Sequence, residues 1–326
     1  MYLIAIIGAG QIGSRHLQAL AFSTLDLNIQ VVDTSEESLK IAKERFEQVN
    51  QNFNGEIAYL NAVSQLPDKI DLTIVATNSR VRKDVVEELL TTKKTGYLLL
   101  EKFLFTKPQH YKEIEDLLEN SSIKCWVNCG RRMFPFYSEL KEKLHGKIHF
   151  SVSGNSWGLG SSTIHFLDLF AYLTGTNEMI LNNDLLDNKV IVSKKKGFVE
   201  FTGTLRGYTK DLHSFQAISY PVESSPFFII VSIHSESANY IIVEEIQTAM
   251  VRYCSVGSKW KWKETVFNIP FQSQLSHLLV EDILKTGNCN LTPYDESSKL
   301  HLLILKNFID FQNSINSKNI EECLIT

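Results

Sequence analysis

The feature that most constrains how this chain can fold is a group of three glycines near its start. They follow the apolar segment YLIAII and open a helical pattern over residues 11–22. A strand, a glycine turn and a helix in this order predict the phosphate-binding turn of a dinucleotide fold, with the helix N-terminus facing the phosphates. The first glycine permits the tight turn, the second lets the backbone approach a diphosphate, and the third allows close packing. The predicted cofactor contacts are Gly8, Gly10, Gln11, Ile12 and Gly13.

An acidic residue stands where a dinucleotide site needs one. Asp33 lies 25 positions after Gly8, at the end of a second predicted strand. A carboxylate there accepts hydrogen bonds from the adenosine ribose and repels a 2′-phosphate, which favours NAD as the cofactor. Thr34 and Ser35 follow it directly and keep NADP possible. The alternative interpretation is a glycine turn without a ligand, beside a surface aspartate.

The pattern of apolar residues changes about two fifths of the way along the chain. Residues 1–125 alternate between short apolar runs and helical patterns, which predicts a parallel sheet with crossover helices. Residues 189–266 read mainly as strands, among them FVEFTGTLRG and KWKWKE. A length of 326 residues suits two domains. We therefore predict an α/β Rossmann domain over residues 1–125, followed by an α+β domain with a large open, mostly antiparallel sheet over residues 126–326.

Charge and composition narrow the class of protein. Lys and Arg total 33 and Asp and Glu total 37, a net charge of −4 that argues against binding nucleic acid through bulk positive charge. No apolar run approaches the length of about 20 residues that a membrane helix needs, and the apolar start lacks the features of a secretory signal. The five cysteines are odd in number and widely spread, so we expect reduced thiols, no metal site and a cytoplasmic protein.

Six segments, in order along nearly the whole chain, resemble motifs of one protein family. They are GAGQIGSRH, DLTIVATNS, LLLEKF, VNCGRRMFP, IHFLDLFAYLTG and LTPYDESSKLHLLI. Together they are similar to the Gfo/Idh/MocA family, named for glucose–fructose oxidoreductase, inositol dehydrogenase and a rhizopine catabolism protein. LLLEKF resembles its EKP motif, and IHFLDLFAYLTG resembles its HxxDxxxxLxG helix.

The resemblance carries its own expectations about fold and function. It implies a Rossmann domain followed by an α+β domain whose large sheet makes the contact in a homodimer or homotetramer. It also implies an NAD(P)-dependent oxidation or reduction at one hydroxyl of a sugar, cyclitol or nucleotide-sugar. By similarity to the family's cofactor loop, Thr77 and Asn78 in DLTIVATNS become candidate cofactor contacts.

Removing hydride from an alcohol requires a group that accepts the hydroxyl proton. Lys102 directly follows the apolar strand predicted at residues 97–101, and ligands of parallel sheets bind at that end of the strands. Glu101 is expected to pair with Lys102 or to contact the cofactor. His165 and Asp168 share one face of a predicted helix, which suits a histidine base oriented by a carboxylate. The resemblance implies the same catalytic set; the alternatives are a solvated Glu–Lys pair and a satisfied His–Asp pair.

The candidate site departs from the family pattern at two positions. Phe103 replaces the proline of the EKP motif, and a cis bond before a non-proline residue costs about 3 kcal/mol, so we expect a trans or strained Lys102–Phe103 bond. Ser161 stands where many family dehydrogenases carry an aspartate. We take Trp157, Ser161 and Arg131 as substrate-binding candidates, with Trp157 equally suited to the sheet core. The departures support a second hypothesis, a catalytically silent dinucleotide-binding sensor or scaffold of the same fold.

Overall fold

The computed structural model describes residues 1–49, 53–222, 228–254, 261–316 and 319–326. These residues form two compact units, each made of several stretches of chain. The first unit comprises Met1–Phe105, Gln109–Gly130 and Pro270–Ser297. The second comprises Thr106–Pro108, Arg131–Ile269 and Ser298–Thr326. The division into domains at residues 125 and 126 stays a prediction; the first unit also takes in a late stretch of the chain.

The first unit is built on a seven-stranded sheet with strand order β17-β6-β5-β4-β1-β2-β3. Neighbouring strands run parallel, except that β17 is antiparallel to β6. This is the Rossmann topology predicted from the sequence. Its strands are β1 (Tyr2–Ile7), β2 (Leu27–Val32), β3 (Ile57–Leu60), β4 (Lys69–Val75), β5 (Lys94–Leu100), β6 (Lys124–Val127) and β17 (Thr292–Pro293). Its helices are α1 (Gln11–Leu20), α2 (Glu36–Glu47), α3 (Ser79–Thr92), α4 (Gln109–Ser121) and α7 (Gln272–Thr286).

The central strands of this sheet are apolar because both of their faces are covered. Ile4, Leu72 and Leu99, on three neighbouring strands, are fully buried. Continuous apolar runs of this kind are typical of parallel sheets. The sheet therefore fixes where its strands end, and the loops that follow β1, β2, β4 and β5 come to the same edge.

The second unit contains an eight-stranded open sheet with strand order β16-β15-β14-β13-β7-β12-β11-β8. Only β7 and β12 are parallel neighbours, so the prediction of a mostly antiparallel sheet is confirmed. Its strands are β7 (His149–Asn155), β8 (Met179–Leu186), β11 (Gly203–Thr209), β12 (Ser214–Tyr220), β13 (Phe228–His234), β14 (Ala238–Val243), β15 (Thr248–Tyr253) and β16 (Lys263–Val266). A separate hairpin pairs β9 (Ile191–Val192) with β10 (Val199–Glu200), and the helices are α5 (Pro135–Lys143), α6 (Leu159–Thr174) and α8 (Tyr294–Asn316), whose first four residues belong to the first unit.

Helix α6 packs on the inner face of the open sheet through aromatic side chains. Phe170 on the helix lies 6.0 Å from Phe150 and 5.5 Å from Phe215, measured between ring centroids. The helix ends at Thr174, and Gly175 after it has a positive φ of 72°, the left-handed conformation in which glycine commonly ends helices. The strands that line this face alternate buried and exposed residues, as half-covered strands do.

Two expectations about single strands are wrong. The segment FVEFTGTLRG is interrupted, because Glu200 ends β10 and Gly203, at φ +103°, begins β11. Strand β8 was missed, since its sequence MILNNDLL places asparagines and an aspartate on a half-exposed edge strand. Of the segment KWKWKE, Lys259 and Trp260 lie outside the described residues, and β16 begins at Lys263.

Within the described chain, none of the helices combines the length and the apolar character that crossing a membrane requires. The same residues contain no group of three or more potential metal ligands. All five cysteines are free thiols.

Candidate functional site

The glycine loop between β1 and α1 has the geometry that its sequence predicts. Gly8 adopts a φ of +99°, and a Cβ there would lie 2.7 Å from the backbone nitrogen of Thr77. A Cβ on Gly13 would lie 1.7 Å from the carbonyl oxygen of Gly8, so only glycine lets α1 pack this closely. A Cβ on Gly10 would meet no protein atom within 4 Å. Gly8 and Gly13 are therefore required by the fold, whereas Gly10 keeps the loop open to a ligand.

Asp33 is connected to this loop directly. One carboxylate oxygen accepts a hydrogen bond of 2.7 Å from the backbone N–H of Ala9, and the other accepts one of 2.9 Å from Ser35. The side chain is half-buried just after β2. Each carboxylate oxygen has a second lone pair available for a ribose hydroxyl. The structure thus brings the predicted acid to the predicted loop.

The exposed residues of the loop are held from the neighbouring helix. Gln11 and Ile12 are exposed in the first turn of α1. The Arg45 guanidinium on α2 donates to the Gln11 side-chain oxygen at 2.9 Å and to the Ser14 hydroxyl at 2.6 Å. A positive charge thus lies beside a helix N-terminus, and both favour an anion. Arg45 was not predicted, because nothing in the sequence places it near the loop.

The loop after β4 is organised by a buried arginine. Asn78 caps α3 by accepting a hydrogen bond of 3.1 Å from the Arg80 N–H, which gives this predicted cofactor contact a structural task. Arg82 is 1% exposed and donates to the backbone carbonyls of Thr77, Phe103 and Leu104. It therefore ties the loop after β4 to the loop after β5. Burial lowers the pKa of Arg82 to about 10, so it stays charged near neutral pH.

Lys102 lies in the loop after β5, where it was predicted, and it is half-buried. The sequence predicts a trans or a strained bond to Phe103; the trans alternative is wrong, because the Lys102–Phe103 peptide bond is cis. Phe103 is fully buried beneath this loop. The loop of the EKP-like motif is thus packed by the phenylalanine that departs from the family pattern.

Glu101 is part of a buried polar network. It accepts hydrogen bonds from His16 Nε2 at 2.9 Å and from the Asn128 amide at 2.5 Å. The other ring nitrogen of His16 lies 2.7 Å from the Ser276 hydroxyl, and Asn128 also donates to Gln272. Burial raises the pKa of Glu101, but these hydrogen bonds and the charge of Arg82 outweigh it and hold the pKa below its usual range.

This network gives Glu101 a task within the protein. It links α1, β5, β6 and α7 behind the glycine loop. His16 ends the motif GAGQIGSRH, so the sequence did single it out, but its partners come from distant parts of the chain. The predicted pairing of Glu101 with Lys102 or with a cofactor stays a prediction.

His165 and Asp168 lie on α6, in the second unit, whereas Lys102 belongs to the first. His165 is half-buried and Asp168 is fully buried. Asp168 accepts a hydrogen bond of 2.8 Å from Arg132 Nε, forming an ion pair. Because the guanidinium offsets its charge, Asp168 resembles a fixed support more than an exposed base.

Arg131 also has an acidic partner. Its guanidinium forms a two-pronged ion pair with Glu244, with N–O distances of 2.9 and 2.5 Å, and lies 4.1 Å from the centre of the Phe166 ring. The Tyr137 hydroxyl donates to the same carboxylate at 2.5 Å. An arginine held in this way has little positive charge left for a substrate anion.

Trp157 and Ser161 line one pocket of about 360 Å³ in the second unit, at the N-terminal end of α6. Trp157 is 4% exposed and donates from its ring nitrogen to the carbonyl oxygen of Ile218 at 2.7 Å. The burial of Trp157 agrees with its interpretation as a core residue, and its position in the pocket lining agrees with its interpretation as a ligand contact. Of the three predicted substrate-binding residues, Trp157 and Ser161 line the same pocket, whereas Arg131 forms an ion pair with Glu244.

Comparison with known proteins agrees with the fold and the motifs. Residues 2–129 match the Gfo/Idh/MocA family model, described as an oxidoreductase family with an NAD-binding Rossmann fold. No curated protein matches the chain by sequence. The family resemblance read from the motifs is thus confirmed, with the model match lying over the Rossmann part of the chain.

Solved structures share the fold along nearly the whole chain. An oxidoreductase from Agrobacterium radiobacter, in complex with NAD⁺, L-tartaric acid and magnesium, is 15% identical with a TM-score of 0.73, and 97% of each chain is covered. UDP-N-acetylglucosamine 3-dehydrogenase GnnA from Acidithiobacillus ferrooxidans is 13% identical with a TM-score of 0.68, covering 94% of this chain and 96% of that one. A super-repressor mutant of Gal80p from Saccharomyces cerevisiae is 14% identical with a TM-score of 0.70, covering 96% of both.

Proposed function

From the Gfo/Idh/MocA match over residues 2–129, we propose that this chain is an NAD(P)-dependent oxidoreductase. It transfers hydride between nicotinamide and a hydroxyl or keto carbon of a sugar, cyclitol or nucleotide-sugar. The observation that carries the proposal is the glycine loop, in which Gly8 and Gly13 are sterically required and Gly10 is open. These residues, the start of α1 and Asp33 fit a dinucleotide, which would supply the hydride acceptor or donor.

In this proposal the chain's own residues bind and orient the substrate and transfer a proton. Lys102 hydrogen-bonds the reacting oxygen and stabilises negative charge on it, and His165 accepts or returns the proton. Asp168 fixes the geometry of α6 through Arg132. Thr77, Asn78 and Glu101 are the further cofactor-side residues: Asn78 and Glu101 act by holding their loops, through the bonds they make within the protein.

Asp33 supports NAD as the preferred cofactor. Its carboxylate is already fixed by Ala9 and Ser35 and cannot turn away from a 2′-phosphate without losing those bonds. Thermal melting with NAD, NADH, NADP and NADPH in turn tests both the site and the preference. A ligand at about 100 times its Kd adds about 2.7 kcal/mol of stability. We expect a shift of several degrees with NAD or NADH, and no shift with any of the four would refute a dinucleotide site.

Turnover separates the enzyme from a silent binding protein. We expect Lys102→Ala to lower kcat by about 100-fold or more with an unchanged melting temperature, measured by nicotinamide absorbance over a panel of sugars. Lys94→Ala, an exposed lysine at the opposite end of the same strand, is the matched control. Full activity in Lys102→Ala would exclude the lysine from the chemistry.

The assembly is proposed to be a homodimer or homotetramer of a cytoplasmic protein, formed through the open sheet. Its outer face carries exposed apolar side chains, among them Ile180, Tyr208 and Ile241, beside the polar residues of the same strands. Ile180 and Tyr208 lie opposite each other on paired strands, and adjacent exposed apolar side chains of this kind are typical of a protein interface. Light scattering after gel filtration should give two or four chains, and Tyr208→Lys should shift the mass toward the monomer.

A sensor or regulatory scaffold of the same fold is the second candidate. Ser161 supplies no carboxylate to α6, and both Arg131 and Asp168 are engaged in ion pairs within the protein. The similarity to a Gal80p super-repressor mutant shows that the fold is shared with a repressor. Dinucleotide binding without turnover of any sugar in the panel would favour this candidate and exclude the enzyme.

A further inference from the structure

We infer that the pocket at the N-terminal end of α6 binds an uncharged, polyhydroxylated molecule and discriminates against anionic ones through Glu200. The pocket has a volume of about 360 Å³, enough for one sugar ring, and all its lining residues belong to the second unit. The identification of this molecule with the substrate rests on the proposed function. Binding itself does not, because it can be measured without cofactor or turnover.

The first observation is a buried hydroxyl that has no partner. Ser219 lines the pocket and is 1% exposed, and no group in the described part of the chain forms a hydrogen bond with its Oγ. It lies on β12, on the same inner face as Phe215 and Ala217. Buried polar atoms are nearly always paired, so an unpaired hydroxyl that lines a pocket indicates a ligand hydroxyl.

The second observation is how the end of α6 is capped. The Glu200 carboxylate, 7% exposed, accepts hydrogen bonds from the backbone N–H groups of Gly160 at 2.7 Å and Ser161 at 3.2 Å. A helix N-terminus ordinarily attracts an anion, but here a carboxylate of the protein already occupies that position. A second anion in the pocket would face a buried like charge. Lys194, at the rim, is exposed, so solvent screens its charge.

The walls of the pocket are aromatic and fixed in place. Trp157 is held by its hydrogen bond to Ile218, and Phe201 stacks on Phe308 with ring centroids 4.1 Å apart. Rigid apolar walls with a few hydroxyls and one carboxylate suit a sugar ring, whose C–H faces are apolar and whose edge donates hydrogen bonds. The hydrogen-bonding groups of this pocket include the Glu200 carboxylate on β10 and the Ser219 hydroxyl on β12.

Matched sugar pairs test the inference, because the two members of each pair differ only at C6, where a primary alcohol is replaced by a charged carboxylate. The probes are D-glucose with D-glucuronate, D-galactose with D-galacturonate, and D-mannose with D-mannuronate, each titrated by calorimetry with and without NAD. We expect at least one neutral sugar to bind, and to bind about tenfold or more tightly than its uronate. Failure of all neutral sugars, or a tighter uronate in any pair, would overturn the inference.

The variant Ser219→Ala tests the unpaired hydroxyl. Because this Oγ has no hydrogen-bond partner among the described residues, we expect an unchanged melting temperature and a weakening of neutral-sugar binding by about threefold to tenfold, the range of one hydrogen bond. Ser153→Ala, on the outer face of the neighbouring strand β7, is the control and should change neither quantity. Equal sugar affinity in wild type and Ser219→Ala would place the ligand elsewhere.

The variant Glu200→Gln tests the source of discrimination. It keeps the size of the side chain and one of the two hydrogen bonds of the cap, because an amide has a single acceptor oxygen. It removes the charge, so the preference for a neutral sugar over its uronate should shrink by about tenfold. An unchanged preference would refute the role of Glu200. These outcomes are independent of thermal melting with dinucleotides. Sugar binding without any dinucleotide-induced shift in melting temperature would refute the proposed oxidoreductase but not the sugar pocket. A dinucleotide-induced shift without sugar binding would refute the sugar pocket but not the proposed oxidoreductase.

Discussion

The starts of helices α1 and α6 are built alike but are used differently. Each helix follows a strand that ends at a glycine turn, and each begins directly after a glycine, Gly10 for α1 and Gly158 for α6. Within the described residues no carboxylate accepts a hydrogen bond from the first turn of α1, and Arg45 lies beside it. The first turn of α6 is capped by Glu200. One helix end is thus left to an external anion and the other is neutralised from within.

This difference shows that a helix N-terminus does not by itself define a ligand. The same partial positive charge favours phosphate at α1 and is cancelled by the chain's own carboxylate at α6. What differs is the charged side chain bonded to the first turn of each helix, which comes from α2 at the start of α1 and from β10 at the start of α6. The predictions below test each half of this comparison.

The largest effects are expected from substitutions of the glycines in the α1 loop. One substitution is expected to lower stability and the other to lower dinucleotide affinity. Gly13→Ala would place a Cβ 1.7 Å from the Gly8 carbonyl oxygen and should cost about 3 kcal/mol of stability. Gly10→Ala meets no protein atom, so urea unfolding should be unchanged while dinucleotide affinity falls about tenfold or more. If Gly10→Ala bound the dinucleotide normally, the ligand would not approach this side of the loop.

The α1 loop could be predicted from the sequence because all its parts are local. Three glycines, a strand and a helix lie within about 20 residues, and the steric reason for each glycine is a contact inside that stretch or with the next strand. The cap of α6 could not be predicted from the sequence, because Glu200 lies some 40 residues after the start of the helix and its segment has the pattern of a continuous strand. Ser219 had no signal in the sequence, because its significance depends on the lack of a hydrogen-bond partner among the residues that the structure describes.

A second test concerns the support beneath the first site. Arg82→Met would leave the carbonyl oxygens of Thr77, Phe103 and Leu104 without their buried donor and should cost about 2–3 kcal/mol. Arg80→Met, at an exposed position on the same helix, is the control and should change stability by less than about 0.5 kcal/mol. Equal urea midpoints for the two variants would contradict a structural role for Arg82.

A third test converts one helix end into the other. Glu200→Ala removes the cap of α6 and should cost about 1 kcal/mol. It should also make α6 resemble α1, so that inorganic phosphate in the absence of dinucleotide raises the melting temperature of the variant by more than that of the wild type, in which only the start of α1 is open to an anion. If phosphate affected both proteins equally, the carboxylate would not be what excludes anions from α6.

Buried polar networks mark the limit of prediction in the first unit as well. His16 belongs to a recognisable motif, but its partners Glu101 and Ser276 are 85 and 260 residues away. Such pairings depend on the fold as a whole, because each residue alone has the pattern of an ordinary surface or core position. The sequence therefore predicts candidate residues from local motifs, and it gives no signal for partners that only the fold brings together.

The smallest effect is expected from lowering the pH. It tests whether a carboxylate that is hydrogen-bonded within the protein, as Glu200 is at α6, contributes to stability. Burial raises the pKa of Glu281, but hydrogen bonds from Lys285 and Thr24 outweigh it and lower the pKa to about 2. A folded pKa below the unfolded value gives stability that is present above about pH 4.5 and is lost as the pH falls toward 2. Glu281→Gln should therefore be less stable than wild type by roughly 1 kcal/mol at pH 7, after allowance for solvent screening, and nearly equal to it only at about pH 2 or below. Urea unfolding at both pH values measures this. A difference that stayed constant with pH would mean that Glu281 acts through packing, with its ionisation irrelevant to stability.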